Sequence, residues 1–186
     1  MNSTDKLVIW VLRHAKAASD GPSGDVSRPL TGRGRRQAES VREHLQSLGQ
    51  SPKHSLGQAL PTLVLCSPAT RARETAEIVM PALPEAHIQY EQVLYDEDAD
   101  GVLEWLRQLD PSESRIMIVG HNPTLHELCL MLIEPDSHEE VEALGLPTAG
   151  LVRLDDAVAG GSSGPGSWSD LTVGAARLGH RFVPQS

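Results

Sequence analysis

Leu7-Val8-Ile9-Trp10-Val11-Leu12 is an unbroken apolar run, the form taken by a strand buried on both faces of a parallel sheet. Leu63-Val64-Leu65-Cys66 and Ile116-Met117-Ile118-Val119 have the same character. All three end at polar residues: Arg13-His14, Ser67-Pro68 and Gly120-His121-Asn122-Pro123. Apolar positions then recur at helical spacing, as Ala76, Val79, Met80 and Leu83 after the second run and Leu125, Leu128, Cys129 and Leu132 after the third. Ser67 and Asn122 are expected to be the N-caps of these helices, with Pro68 and Pro123 at the first helical positions. A longer helix from about Thr31 to Leu48 carries Ala38, Val41, Leu45 and Leu48 inward and stops at Gly49, and another runs roughly from Asp100 to Leu109. Ala149 to Leu154 reads as a further strand. This alternation predicts an α/β protein, a three-layer α/β/α sandwich with a largely parallel sheet.

The length of 186 residues suits a single domain over 1–186, and the Gly/Ser-rich stretch at about 157–168 is expected to be a mobile loop within it. Aromatic residues make up only 3% of the chain, so Leu, Val, Ile and Ala must build the core. The net charge of −9 argues against nucleic acid as a partner. Arg33, Arg35, Arg36 and Arg42 are expected on the exposed face of the long helix. No apolar run approaches the ~18 residues of a membrane span, and the N-terminal run lacks a signal-peptide pattern, so a cytoplasmic location without membrane contact is expected. Cys66 and Cys129 sit inside apolar runs, as reduced structural cysteines do.

In an open α/β sheet, ligands bind beyond the carboxyl ends of the strands. Arg13-His14 and His121 follow strands there, and Arg71 falls in the first turn of a helix that follows another. Two arginines, two histidines and helix N-termini at one sheet edge form a site for a phosphoryl group. An imidazole with a pKa near 6.5 is a competent nucleophile at neutral pH, and guanidinium groups suit the equatorial oxygens of a phosphoryl in transfer. His14 is therefore the candidate nucleophile, with Arg13 and Arg71 as oxyanion clamps and His121 as a further donor when protonated. His44, His87, His126 and His138 lack metal-ligand spacing, so neither a metal nor another cofactor is expected.

Leu12-Arg13-His14-Ala15-Lys16 resembles the Arg-His-Gly or Arg-His-Ala signature of the histidine phosphatase (phosphoglycerate-mutase-like) superfamily. Arg28-Pro29-Leu30-Thr31 with Gly34, Ser67-Pro68-Ala69-Thr70-Arg71-Ala72 with Thr75-Ala76, and Val119-Gly120-His121-Asn122-Pro123 follow in that family's order, with a weaker echo at Pro147-Thr148-Ala149. The resemblance is greatest to the compact phosphohistidine phosphatase SixA group. It implies a phosphoglycerate-mutase-like fold and a metal-independent phosphatase. In that scheme His14 is phosphorylated, Arg13, Arg71 and His121 complete the phosphate pocket, and Arg28 and Asn122 stand at its rim as substrate-binding residues.

Many superfamily members carry an acidic general acid where this chain reads Leu94-Tyr95-Asp96-Glu97-Asp98. Asp96 and Glu97 are the candidates, against a simpler reading in which Asp96, Glu97, Asp98 and Asp100 form a solvated turn that caps the next helix. The expected substrate is a phosphohistidine protein or another phosphorylated compound. Two alternatives are a small-molecule phosphomonoesterase or mutase of the same superfamily, and a non-catalytic phosphate-binding module. Neither the substrate nor the oligomeric state is encoded in a residue pattern.

Overall fold

The computed structural model of the chain describes residues 7–50, 60–157 and 167–185. Among these, a six-stranded sheet is built from β1 (Val8–Arg13), β2 (Leu63–Cys66), β3 (His87–Tyr90), β4 (Arg115–Gly120), β5 (Leu151–Asp155) and β6 (Arg177–Phe182), in the order β3-β2-β4-β1-β5-β6. The strands from β3 to β1 pair in parallel, whereas β5 is antiparallel to both β1 and β6. Only β5 runs against the rest. The expected Gly/Ser-rich loop falls mostly on residues 158–166, which lie outside the described residues.

The helices are α1 (Gly32–Gly49), α2 (Thr70–Val79), α3 (Val93–Asp96), α4 (Ala99–Leu106), α5 (Thr124–Leu132) and α6 (His138–Leu144). Alternate strand residues face opposite layers, which is why the predicted strands read as continuous apolar runs. Ile9, Val11, Leu65, Ile116 and Ile118 pack with Val102, Leu106, Leu125 and Leu128 of α4 and α5. Trp10, Leu12, Val64, Cys66, Met117 and Val119 pack on the other face with Val41 and Leu45 of α1 and Ala72 and Ala76 of α2. The sheet is thus a middle layer between two helical layers, as the three-layer expectation required.

Two strands lie outside the apolar-run pattern. β3 and β6 are the edges of the sheet, and their residues, such as His87 and Gln89 or Arg177 and His180, remain partly exposed. An edge strand buries little, so it carries no apolar run to read.

The helix starts also differ from expectation. α2 begins at Thr70 and α5 at Thr124, after Ala69 and Pro123 respectively, and neither has a side-chain cap. Ser67 and Asn122 are turned to other partners. Ser67 Oγ is hydrogen-bonded to His121 Nε2 at 2.8 Å, and the Asn122 amide donates to the carbonyls of Gly145 and Leu146 at 3.2 and 3.0 Å. The capping expectation does hold at α1, where Thr31 Oγ1 accepts from Gly34 N at 3.0 Å, and at α4, where Asp98 accepts from Gly101 N at 3.0 Å.

Gly34 matters for a steric reason: a Cβ placed there would stand 2.1 Å from the carbonyl oxygen of Lys16, in the segment that follows β1. That carbonyl also accepts from Thr31 N at 2.9 Å. Gly34→Ala must therefore push α1 away from the segment carrying His14. The expected outcome is a loss of about 1–3 kcal/mol, the usual cost of overpacking, read as a lowered urea midpoint with an unchanged slope.

Candidate active site

β2, β4 and β1 are parallel neighbours, so their carboxyl ends open at one edge of the sheet. Backbone bonds fix the three exits side by side: His14 N donates to Gly120 O at 3.0 Å and Ser67 N to Val119 O at 2.9 Å. His14, Ser67 and His121 thereby converge. The His14 and His121 ring centroids are 5.0 Å apart.

The segment after β1 is held by buried polar groups. Ala15 N donates to Thr75 Oγ1 at 3.0 Å, and that hydroxyl donates to the Arg71 carbonyl at 2.7 Å, so one side chain joins the His14 turn to the first turn of α2. Lys16 N donates to Gln37 Oε1 at 3.0 Å. Glu74 accepts from Leu30 N at 2.7 Å and from Arg35 at 3.1 Å, which ties the segment ending Arg28-Pro29-Leu30 to α2.

His14 Nδ1 lies 2.8 Å from the carbonyl of Ala15. A carbonyl can only accept, so Nδ1 carries the hydrogen and, in the neutral ring, Nε2 keeps its lone pair. Burial is the main force lowering the His14 pKa from 6.5 to about 4; Arg71, Arg13 and Arg28 push the same way, while the bond to Ala15 opposes them. The imidazole is neutral at pH 7. His121 is lowered further, to about 3, by burial and then by His14, Arg71 and Arg13. Its expected role as a charged donor is therefore not available to it in this state. Ser67 Oγ accepts from Ala69 N at 3.4 Å and keeps both its hydroxyl hydrogen and a second lone pair, so it pairs with His121 Nε2 in either tautomer of the ring, whose other nitrogen is Nδ1. Among the described residues that Nδ1, Arg13 Nε and Asn122 Oδ1 are buried without a hydrogen-bond partner.

Arg71 is buried, at 6% exposure, and donates to Asp25 through both terminal nitrogens. Arg73 is exposed and stacks over the Tyr90 ring at 4.9 Å. The choice of Arg71 over Arg73 thus agrees with helix phase. Arg28 donates to Asp25 Oδ1 at 2.7 Å and to the Ala18 carbonyl at 2.7 Å. Arg13 donates to the Leu146 carbonyl at 3.1 Å, as does Asn122, so both strand ends hold the 145–146 turn.

The acidic segment contributes differently from its expectation. Asp96 is exposed and accepts from Gln92, Asp98 caps α4, and exposed Glu97 is neither hydrogen-bonded nor ion-paired through its side chain to His14, His121 or a pocket arginine. Tyr95 is what reaches the pocket: its ring is edge-on to His121 at 5.7 Å and its hydroxyl donates to Asp25 Oδ2 at 3.0 Å. Sequence reasoning did not select Asp25, Tyr95 or a pocket role for Ser67. The available signal for Asp25 was its place three residues before Arg28. Its carboxyl is held well below the usual range by Arg28 first, then by Tyr95 and Arg71.

Among the described residues no group of three or more His, Cys, Asp or Glu could hold a metal ion, and no helix is long and apolar enough to cross a membrane. Both cysteines are free and buried, and burial raises Cys129 to about 12, so neither offers a thiolate.

The model of the histidine phosphatase superfamily (branch 1) matches residues 9–102, and the chain belongs to that superfamily. Over 180 residues it is 29% identical to an uncharacterized protein of Mycobacterium tuberculosis, covering 94% of this chain and 100% of that one. Two solved structures resemble it along nearly the whole length. One is a proposed phosphohistidine phosphatase SixA from Agrobacterium tumefaciens, with 26% identity and a TM-score of 0.74, covering 96% of this chain and 98% of that one. The other is a proposed SixA from Nakamurella multipartitia, with 25% identity and a TM-score of 0.72, covering 97% and 98%. The phosphoglycerate-mutase-like expectation for the fold is met by these matches.

The lowered histidines set a pH dependence whose sign is fixed. The unfolded chain takes up protons near pH 6.5, whereas His14 and His121 in the folded chain wait until about 4 and 3. Their contribution to stability is complete above 6.5 and is lost as pH falls toward 4. The melting temperature should drop across that window, and His14→Gln should make the drop shallower. An NMR titration should place the His14 imidazole transition near 4; a transition at 6.5 would contradict the burial argument.

Proposed function

We propose that the chain is a phosphatase in which His14 Nε2 attacks phosphorus, and that its substrates are phosphohistidine proteins or related phosphorylated compounds. The observation that carries this reading is the hydrogen bond of His14 Nδ1 to the Ala15 carbonyl at 2.8 Å, with Arg13, Arg28 and Arg71 near enough to act on the ring. It fixes a lone pair on the ring nitrogen opposite. The bond between phosphorus and the leaving group breaks as the bond to Nε2 forms, and water then releases inorganic phosphate and restores the imidazole. The oxygens of the transferring group draw on Arg13, Arg71 and His121, with Arg28 and Asn122 at the rim. A dianionic phosphoryl group would raise the low pKa of His121 by offsetting the nearby arginines, and so favour the charged donor expected from its position.

The likeness to the two SixA structures supports the phosphohistidine assignment, and so does leaving-group chemistry. An alkoxide needs a proton to leave, and a positioned acid typically supplies about 10²–10⁴-fold. Asp96 and Glu97, the candidate acids, are exposed and have no bond to the pocket. A phosphoramidate nitrogen takes its proton from solvent and leaves as a neutral imidazole or amine, so it demands less of the protein. No step in this scheme uses a metal.

Brief mixing with a phosphohistidine protein or an aryl phosphate, followed by rapid quench, should trap base-stable, acid-labile phosphate on His14, with and without a chelator. Failure to label His14 during turnover would overturn the mechanism.

Arg71→Ala should lose on the order of a hundredfold or more in kcat/KM, as the loss of a preorganised charge clamp does, while Arg73→Ala stays near the parent. Across a leaving-group series, phosphoramidates and activated aryl phosphates should outpace alkyl phosphates, with Asp96→Asn and Glu97→Gln changing the former little. Equal rates on alkyl phosphates, abolished by either amide variant, would establish the general acid and a broader phosphomonoesterase.

A further inference from the structure

Arg28 and Arg71 approach the pocket from different elements, and both already hold an anion that belongs to the chain. Arg71 Nη2 donates to Asp25 Oδ2 at 2.9 Å, Arg28 Nη1 donates to Oδ1 at 2.7 Å, and the Tyr95 hydroxyl donates to Oδ2 at 3.0 Å. Arg71 Nη1 also reaches the Asp25 carbonyl at 2.8 Å. Three donors from three separate segments thus converge on one carboxylate, as they would on the oxygens of a phosphoryl group. The carboxylate comes from outside. The Asp25 side chain is 51% exposed and that of Arg71 only 8%, so the aspartate leans in from the mouth onto a buried cation.

The loop that carries it is pinned at its base and exposed at its tip, where Ser27 Oγ accepts from Ser23 N at 2.7 Å and donates to Gly24 O at 2.9 Å. Ala18 N donates to Pro29 O at 2.9 Å, Arg28 Nε returns to Ala18 O, and Ala17 bridges Leu30. Residues 22–26 are exposed, none of the short 3-10 turn at Asp25–Ser27 is buried, and Gly24 holds φ 87°, a conformation glycine adopts without penalty. Asp25 can leave the arginines without loosening the core.

We propose that Asp25 is the built-in competitor for the phosphoryl site: a tethered carboxylate that occupies Arg71, Arg28 and Tyr95 between turnovers and that the incoming phosphoryl group displaces. The inference rests on the reading of this pocket as a phosphoryl site and adds what substrate must outcompete there. Because the carboxylate is tethered, it competes at the high effective concentration of a short linker. A singly charged anion with two oxygens replaces it poorly, whereas a phosphoryl group with up to two charges and three oxygens replaces it well. Closure by Asp25 therefore lowers the apparent affinity of phosphate and of sulfate by the same factor, since each must displace it, and leaves a weakly held carboxylate unable to compete. By closing again on the arginines it also hastens the departure of inorganic phosphate.

The test is isothermal titration of the full chain with inorganic phosphate, and separately with sulfate, for the parent, Asp25→Asn, Asp25→Ala and Asp20→Asn. Asp20 lies in the same loop, is exposed and is bonded only to Ser19, so it controls for the removal of one negative charge. Both Asp25 variants should bind phosphate about tenfold or more tighter, with a comparable gain for sulfate. Asp20→Asn should stay within about twofold of the parent. With an aryl phosphate, KM should fall while kcat holds or drops as product release slows. Thermal melts establish folding, and having two replacements at Asp25 guards against one that misfolds. Phosphate binding no tighter than in Asp20→Asn, or weaker, would show that the carboxylate only orients the arginines and would overturn the competitor role. Absence of phosphate binding in every variant, the Asp25 replacements included, would instead remove the phosphoryl site and the inference with it.

Discussion

The pocket is governed by the crowding of basic groups in a protein whose net charge is −9. Arg13, Arg28 and Arg71 all act on His14, and a second histidine stands 5.0 Å away. Guanidinium groups do not give up their protons under ordinary conditions, so the histidines absorb the conflict. Both stay neutral, chiefly through burial, with the arginines adding to the same effect. On the proposed reading, the charge that binds a phosphoryl group thus also helps burial to keep His14 unprotonated. The remaining positive charge is offset by Asp25, which among the described residues is the one carboxylate bonded to both Arg28 and Arg71.

Such an arrangement needs a rigid frame, and the sheet supplies it. Parallel pairing of β2, β4 and β1 brings three chain exits to one edge, but pairing alone does not aim a ring. Ser67 anchors the His121 ring through Nε2, the Ala15 carbonyl sets the tautomer of His14, and Thr75 locks the His14 turn to the helix carrying Arg71. Each of these is a buried, directional contact from a small polar group. An isosteric apolar replacement such as Thr75→Val would leave Ala15 N–H without its partner, a penalty of about 1–3 kcal/mol concentrated beside the nucleophile.

What could be read from the sequence follows from how much each feature buries. β1, β2 and β4 announced themselves because both of their faces are apolar, and α1 because its inward positions repeat at helical spacing. β3 and β6, at the sheet edges, have little to bury and left no such trace. The same logic divides the site. Arg13, His14, Arg71 and His121 were legible because they stand directly after apolar runs or at a helix start, which ties them to an element the pattern reveals. Asp25 and Tyr95 were not: one comes from an exposed loop and the other from a four-residue helix, and only the tertiary fold brings them within 3.0 Å of each other. Ser67 and Asn122 were expected as N-caps and cap neither helix, since capping is a local preference and each side chain is bonded to a distant part of the chain instead.

The segment 95–98 shows how a cluster of like residues can be sorted by geometry rather than by type. Three adjacent carboxylates invite an acid role, yet Asp98 is committed to the N-terminus of α4 and Asp96 to Gln92 in open solvent. A general acid must sit within hydrogen-bond reach of the departing atom and hold its proton at working pH. Asp96 and Glu97, exposed and without a bond to the pocket, meet the first condition poorly. Asp25 meets the first better than any of them, but the arginines that bring it to the pocket also hold it ionised. The cations that gather in the pocket thus turn Asp25 from a proton donor into a counter-ion, and on the proposed reading that favours leaving groups able to take their proton from water.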